Sequence, residues 1–287
     1  MSIPTLEFKP RDGGVSPIEI IDLTELSQRD SIVGMDPEKS HRMNFSMLLF
    51  IEQGNGTHFV DFVDYGFNAG SLIFVNKNQV HSFDFSNQPI GKAVLFTDEF
   101  VKQIQSNMKI SIFYSNNFNK NYSPIIQSND DLRVSCKNIL NEIQSELSKP
   151  ETDSMVIMLL FSSLFLKIEK QRNHVECTNL QSQEYQRMNQ FLALLESDFT
   201  KTRNASDYAE KLSISYKSLN NLCKKASGQT VKQIIDSYII LEAKRRLLLG
   251  GRQVKELAFE LGFDEVTNFT KFFKKHTLLP PSHFKKT

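Results

Sequence analysis

Cysteine is scarce in this 287-residue chain. The three present, Cys136, Cys177 and Cys223, have neither paired nor metal-ligand spacing. An odd, sparse set suits a reducing compartment and argues against a disulfide scaffold. Residues 1–11 lack a basic segment followed by an apolar run, so no secretory signal is expected. Long apolar runs are also missing. The longest, Met155 to Ile168, is broken by Ser162 and Ser163 and falls short of the ~20 residues a bilayer crossing needs. A buried helix in a cytoplasmic protein with no membrane partner is the expectation. HExxH, Gly-rich phosphate loops and nucleophile motifs are absent.

The net charge of +1 conceals an asymmetry. Residues 1–182 carry 16 Lys+Arg against 22 Asp+Glu, and residues 183–287 carry 18 against 11. An acidic first half joined to a basic second half points to a polyanionic partner for the second half alone.

Residues 18 to about 115 read as short strands. Ser46–Ile51 is an apolar run ending at Gly54-Asn55-Gly56, His58–Phe62 alternates, Gly70 precedes Ser71–Val75, Val80–Phe85 alternates again, and Ala93–Phe96 closes the series. Turns every ten residues or so suggest a sandwich or barrel. Two helices follow. Leu132, Cys136, Ile139, Leu140, Ile143 and Leu147 form one apolar stripe ended by Pro150. Met155 to Ile168 is apolar nearly all round and needs cover on more than one side, which makes the pair a candidate homodimer seam. The polar stretch 171–183 is the candidate linker, separating residues 1–170 from residues 184–287.

The second half is helical throughout and holds an internal repeat. Met188, Leu192, Leu195 and Phe199 share one face of a first helix. A short helix, Asp207 to Leu212, has Ser206 as candidate N-cap. The turn Ser213-Ile214-Ser215 leads to a basic helix, Tyr216 to Ala226, closed by Gly228. About fifty residues later come Val254 to Leu261, the turn Gly262-Phe263-Asp264 with Asp264 as candidate cap, and a second basic helix, Glu265 to His276. Helix, tight turn and basic helix is the helix-turn-helix plan. One helix, about Val231 to Leu249, joins the copies. Its length of roughly 28 Å would let two recognition helices reach successive major grooves, ~34 Å apart.

These residues carry a resemblance. Tyr238–Leu248, Val254–Ala258 with Leu261-Gly262-Phe263, and Asn268–Lys275 are similar to the spaced motifs of the AraC/XylS family of bacterial transcription regulators. Gly70–Val75 and Gln79–Phe83 resemble the cupin-type barrel that many members carry ahead of the DNA-binding domain. The resemblance implies an α+β chain: a cupin-like β-barrel with a helical pair for effector binding and dimerisation (1–170), then an all-α domain of two helix-turn-helix units (184–287). It implies a sequence-specific activator that meets double-stranded DNA and RNA polymerase and needs no cofactor. By position in the motif, Lys217, Asn220 and Asn221, and then Thr267, Asn268, Thr270 and Lys271, should face base edges. Lys224, Lys225, Lys274 and Lys275 should meet phosphates. The sequence departs from the family where Asn221 and Lys271 replace the usual Arg, Cys223 replaces Phe and Leu278 replaces Gly.

Cupin barrels often hold metal, so a metal-binding cupin enzyme, or a metal or redox sensor fused to a DNA-binding domain, is the alternative. The candidates His58, His81 and Glu52 lack the close His-x-His pair and following Glu of such sites, so neither catalysis nor a metal is expected. Cys136 and Cys177 have no basic neighbour to activate them. A pocket for a small-molecule effector is the better expectation, with Phe50, Phe59, Phe74, His81 and Phe83 as lining and an apolar or ring-faced ligand.

Overall fold

The computed structural model describes residues 4–10, 16–28, 36–108, 123–176, 182–248 and 253–284. They fall into two compact units, drawn from residues 4–176 and 182–284. Among them no helix is long and apolar enough to cross a membrane.

The first unit begins with β1 (Thr5–Leu6), β2 (Ile18–Asp22), α1 (Leu23–Gln28), β3 (His41–Met43), β4 (Ser46–Gln53), β5 (Gly56–Val60) and β6 (Val63–Phe67). It continues with β7 (Ser71–Val75), β8 (Val80–Phe83), β9 (Ile90–Phe96), α2 (Asp98–Met108), β10 (Ile125–Gln127), α3 (Asp130–Leu147) and α4 (Ser154–Glu176). One five-stranded sheet runs β1-β3-β8-β5-β6 and the other β10-β7-β4-β9-β2. Strands were expected as far as about residue 115, but residues 98–108 are helical. Thr97 starts that helix, its hydroxyl accepting from the Phe100 N–H, and Phe100 and Ile104 pack one turn apart in the core.

Side chains alternate between the two faces of a strand, and the second sheet is buried on both. Met47, Leu49, Ile51, Ile73, Val75, Ala93 and Leu95 point towards the first sheet, where they meet Met43, Val60, Phe67 and Phe83. Leu48, Phe50, Leu72, Phe74, Val94 and Phe96 point the other way, onto α2, α3 and α4. Two-sided burial explains why Ser46–Ile51 reads as an unbroken apolar run while the first sheet's strands alternate. In α4, Phe161 and Phe165 meet Phe96 edge-on at 5.1 and 5.9 Å between ring centres. The all-round apolar character of the 155–168 run is partly spent on this sheet.

The helix α4 extends to Glu176, so residues 171–176 of the expected linker are helical. Arg172 is buried there, its guanidinium over the Phe74 ring at 5.1 Å. That stacking hides the stem of a side chain whose charge suggested solvent. Residues 177–181, with Cys177, lie outside the described residues.

The second unit contains α5 (Ser182–Asp198), α6 (Ala205–Lys211), α7 (Tyr216–Ser227), α8 (Val231–Leu248), α9 (Val254–Glu260), α10 (Val266–Thr277) and α11 (Pro281–Phe284). One core joins them. Met188, Leu192, Leu195 and Phe199 of α5 meet Tyr208, Leu219, Ile235, Tyr238, Leu257, Phe269 and Phe273. The joining helix α8 is apolar on several sides because both copies of the repeat pack against it: Val231, Ile234, Ile235, Ile239, Ala243 and Leu247 are all buried.

Candidate nucleic-acid interface and ligand pocket

The repeat is visible atom by atom. After α6 the chain turns left-handed at Ser213 (φ 54°), and after α9 it does so at Gly262 (φ 76°). The next residue tucks an apolar side chain under each turn: the Ile214 N–H donates to Ala209 O and the Phe263 N–H to Ala258 O, both at 3.0 Å. Arg203 lies over the Phe263 ring at 3.9 Å and pins the second turn. The basic helices then start at Ser215 and Glu265 and end on left-handed residues, Gly228 (φ 70°) and Leu278 (φ 65°). Each closing N–H donates to a lysine carbonyl, Lys224 O and Lys274 O, at 2.9 Å. Leu278 therefore stands in a backbone conformation that disfavours branched side chains.

Two cap assignments move. The α6 helix is capped by Asn204, whose side chain accepts from the Ser206 N–H. The same Asn204 donates to Asp207, and this short polar network fits Asn better than a cap at Ser206. Glu265, not Asp264, occupies the N-cap of α10, and it makes no side-chain cap bond.

Superposing the repeats pairs Lys217 with Thr267, Asn221 with Lys271, Lys224 with Lys274 and Lys225 with Lys275. All eight are exposed, as are Ser218 and Asn268. Positions 217, 221 and 224, and likewise 267, 271 and 274, fall on one helical face because they are spaced four and three apart. Asn220 and Thr270 lie a step round, and both are half-buried. The Asn220 Oδ1 accepts from the Val231 N–H at 3.2 Å, so this side chain satisfies a free donor at the start of α8. The base-edge role expected of it thus competes with this hydrogen bond to the first turn of α8. Lys225 Nζ meets Glu184 Oε2 at 2.6 Å, and the Thr267 hydroxyl donates to Glu265 at 3.0 Å.

Residues 208–287 match the family described as "Helix-turn-helix domain". The chain is 22% identical over 236 residues to the HTH-type transcriptional activator RhaS of Klebsiella pneumoniae, covering 82% of this chain and 83% of that protein. It is 22% identical over 226 residues to the TCP pilus virulence regulatory protein of Vibrio cholerae, covering 77% and 79%. Unsaturated-fatty-acid-bound ToxT from Vibrio cholerae aligns over 93% of this chain and 94% of its own, at 19% identity and a TM-score of 0.45. This chain is a transcription regulator with an AraC/XylS-type helix-turn-helix domain. It binds DNA through the helix-turn-helix domain.

The regulator's first unit encloses a cavity of about 70 Å³ between its sheets, walled by Phe45, Met47, Phe83, Leu95, His41 and His81 among others. At ~10–15 Å³ per water, that is room for several waters or one small ligand. His81 and Phe83 thus line it as expected, but Phe50, Phe59 and Phe74 do not. Strand parity is the reason. Leu49, Ile73 and Val75 face the first sheet, so Phe50 and Phe74 face α3 and α4. Phe59 lies between the buried His58 and Val60 and turns outward.

The residue the sequence reading missed is His41. It sits directly across from His81 on neighbouring strands, with ring centres 4.1 Å apart. His58 stacks on the far side of His81 at 5.4 Å. All three are buried. Burial, reinforced by repulsion from His41, pushes His58 down to about 3 and His81 well below the ordinary histidine value. His41 is lowered less, because burial is opposed by its Nδ1 contact with Lys39 O at 2.8 Å and by Asp36. The imidazoles are neutral at neutral pH. His58 and His81 lie nearly parallel, 23° between planes, so their in-plane lone pairs do not converge. Among the described residues no group of three His, Cys, Asp or Glu is arranged to hold a metal. Glu52 is engaged with Lys137 at 2.9 Å, and burial pushes the Cys136 thiol up to about 12, which keeps it unreactive.

Proposed function

We propose that this regulator is a cytoplasmic, non-catalytic activator that reads two successive major grooves with α7 and α10 and recruits RNA polymerase. Residues 1–170 serve as effector and dimerisation domain and 184–287 as DNA-binding domain. The observation that carries the reading is the duplicated helix-turn-helix with one exposed stripe on each second helix. Lys217, Asn221 and Ser218, and then Thr267, Asn268 and Lys271, are the base-reading set. Lys224, Lys274 and Lys275 are the phosphate set, and Lys225 joins them once released from Glu184. RhaS is named an activator, which supports the direction of control.

The small molecule enters the cavity beside His41 and His81, and its binding shifts regulation only by its differential affinity for two states. The homodimer uses α4. Met155, Leu159 and Leu166 are exposed on one face of that helix while the opposite face covers the sheet.

Selection of bound fragments from random duplex DNA by the full chain tests the reading. Two half-sites about one helical turn apart should emerge, with log Kd linear in log salt at about 0.9 per phosphate neutralised. Retained fragments without a shared sequence, or a single half-site, would refute the two-groove reading.

A further inference from the structure

The four ring nitrogens of His58 and His81 are buried without a hydrogen-bond partner. An unsatisfied buried polar atom costs roughly 1–3 kcal/mol, so the pair on His81, whose side chain borders the cavity, calls for an explanation in function. Among the described residues, His41 and His81 supply the polar side chains of that cavity. Its other lining residues carry Leu, Met, Phe and Pro side chains. A neutral imidazole offers one N–H donor and one bare acceptor nitrogen. A hydroxyl matches both at once, donating to the bare nitrogen of one ring and accepting from the N–H of the other.

We propose that the effector is a small, uncharged, largely apolar molecule with a single hydroxyl, held at the edge of the His41–His81 pair. The inference rests on the effector pocket proposed above and names its ligand class. Competing chemistries fit the walls less well. A carboxylate would meet no Lys or Arg side chain among the described residues of the lining, and would have to draw a proton onto an imidazole that burial keeps neutral. A sugar would bring several hydroxyls to walls whose described residues offer two polar side chains, leaving the rest unpaired. A hydrocarbon would fill the space but leave the nitrogens as they are. His58, stacked behind His81 and packed edge-on against Phe83 at 5.1 Å, holds the His81 ring in place.

The test uses three ring compounds of similar bulk, p-cresol, p-xylene and 4-methylbenzoate, titrated calorimetrically into the full chain at pH 7.5. The p-cresol should bind saturably, one per chain, with no net proton uptake across buffers of different ionisation enthalpy. The other two should bind at least ten-fold more weakly. His81→Phe keeps a ring of similar size and should erase the preference for p-cresol over p-xylene. If that variant fails to fold by circular dichroism, His41→Phe reads the same preference. Tightest binding by 4-methylbenzoate, with a proton taken up, would overturn the hydroxyl inference and leave the pocket standing. Binding by none of the three would overturn the pocket with it. DNA retention by the same preparation separates either failure from a failure of the regulator reading.

Discussion

Replacing Gly262 with alanine imposes two penalties, and Gly228 shows what one of them costs alone. Both glycines are left-handed, at φ 76° and 70°. For an L-residue that conformation costs roughly 1–2 kcal/mol, offset by about 0.4–1 kcal/mol because alanine restricts the unfolded chain. At Gly228 an added Cβ meets nothing within 4 Å, so Gly228→Ala should destabilise by about 0.5–1 kcal/mol. At Gly262 the same Cβ would lie 2.1 Å from the carbonyl oxygen of Thr200 and 2.9 Å from its carbonyl carbon. Those are backbone atoms of the α5–α6 loop, which cannot swing aside as a side chain would. Overpacking of this kind costs about 1–3 kcal/mol, so Gly262→Ala should lose about 2–4 kcal/mol in total.

Urea unfolding of the full chain, followed by helical circular dichroism, measures both variants against the parent. The second helix-turn-helix unit carries the damage, so at permissive temperature Gly262→Ala should also lose discrimination at one half-site first. Equal effects of the two substitutions would refute the steric argument. So would a Gly262→Ala cost below about 1 kcal/mol, since the strain estimate alone reaches that far. The comparison also explains why Ser213 is tolerated at the equivalent turn: there the chain takes the same hand (φ 54°) at an exposed position.

Leu278→Gly should stabilise the chain by up to about 1 kcal/mol by relieving left-handed strain at an exposed C-cap, measured in the same urea series; a loss of stability would contradict the strain. Asn220→Ala should cost about 1 kcal/mol by uncapping α8 and should lower affinity for all DNA sequences alike, whereas Asn221→Ala and Lys271→Ala should relax preference at different half-sites; an altered base preference from Asn220→Ala would return that residue to the reading face. Acid should destabilise the first unit earlier than carboxylates alone would. The folded-state values of His58 and His81 are depressed, so the unfolded chain binds more protons below the ordinary histidine value of 6.5, and stability falls from there down towards about 3 for His58. At pH 5.5 each such histidine should forfeit about 1.4 kcal/mol, and His58→Phe should remove its share; a flat stability profile between pH 7 and 5 would contradict neutral burial.

The helix-turn-helix half was legible because its signals are local. A cap, a left-handed turn residue, an apolar plug and a closing glycine all lie within one or two helical turns of each other, and they recur fifty residues on. What failed there failed by a residue or two at caps, as with Asn204 and Glu265, where neighbouring polar side chains compete for the same free N–H groups. The hydrogen bond of Asn220 was not legible for a different reason: its partner, the Val231 N–H, lies beyond the end of its own helix. The barrel half was legible as strands but not as faces. Phe50 and Phe74 occur in runs apolar at every position, so nothing in the run says which parity faces the cavity. That depends on α3 and α4, which cover the far side of the sheet from more than fifty residues away in sequence. The parity of the first sheet was readable in part, because in β5 and at the end of β8 buried residues flank a half-exposed one. There His81 and Phe83 flank a half-exposed Ser82, and the His41–His81 pair follows once β3 is recognised as a strand. Three residues with a charged centre, His41-Arg42-Met43, gave no such signal, although the Arg42 guanidinium is tied to Asn78 O at 2.9 Å and buried. The polar end of the proposed effector pocket therefore hung on a strand too short and too charged to be read from its own residues.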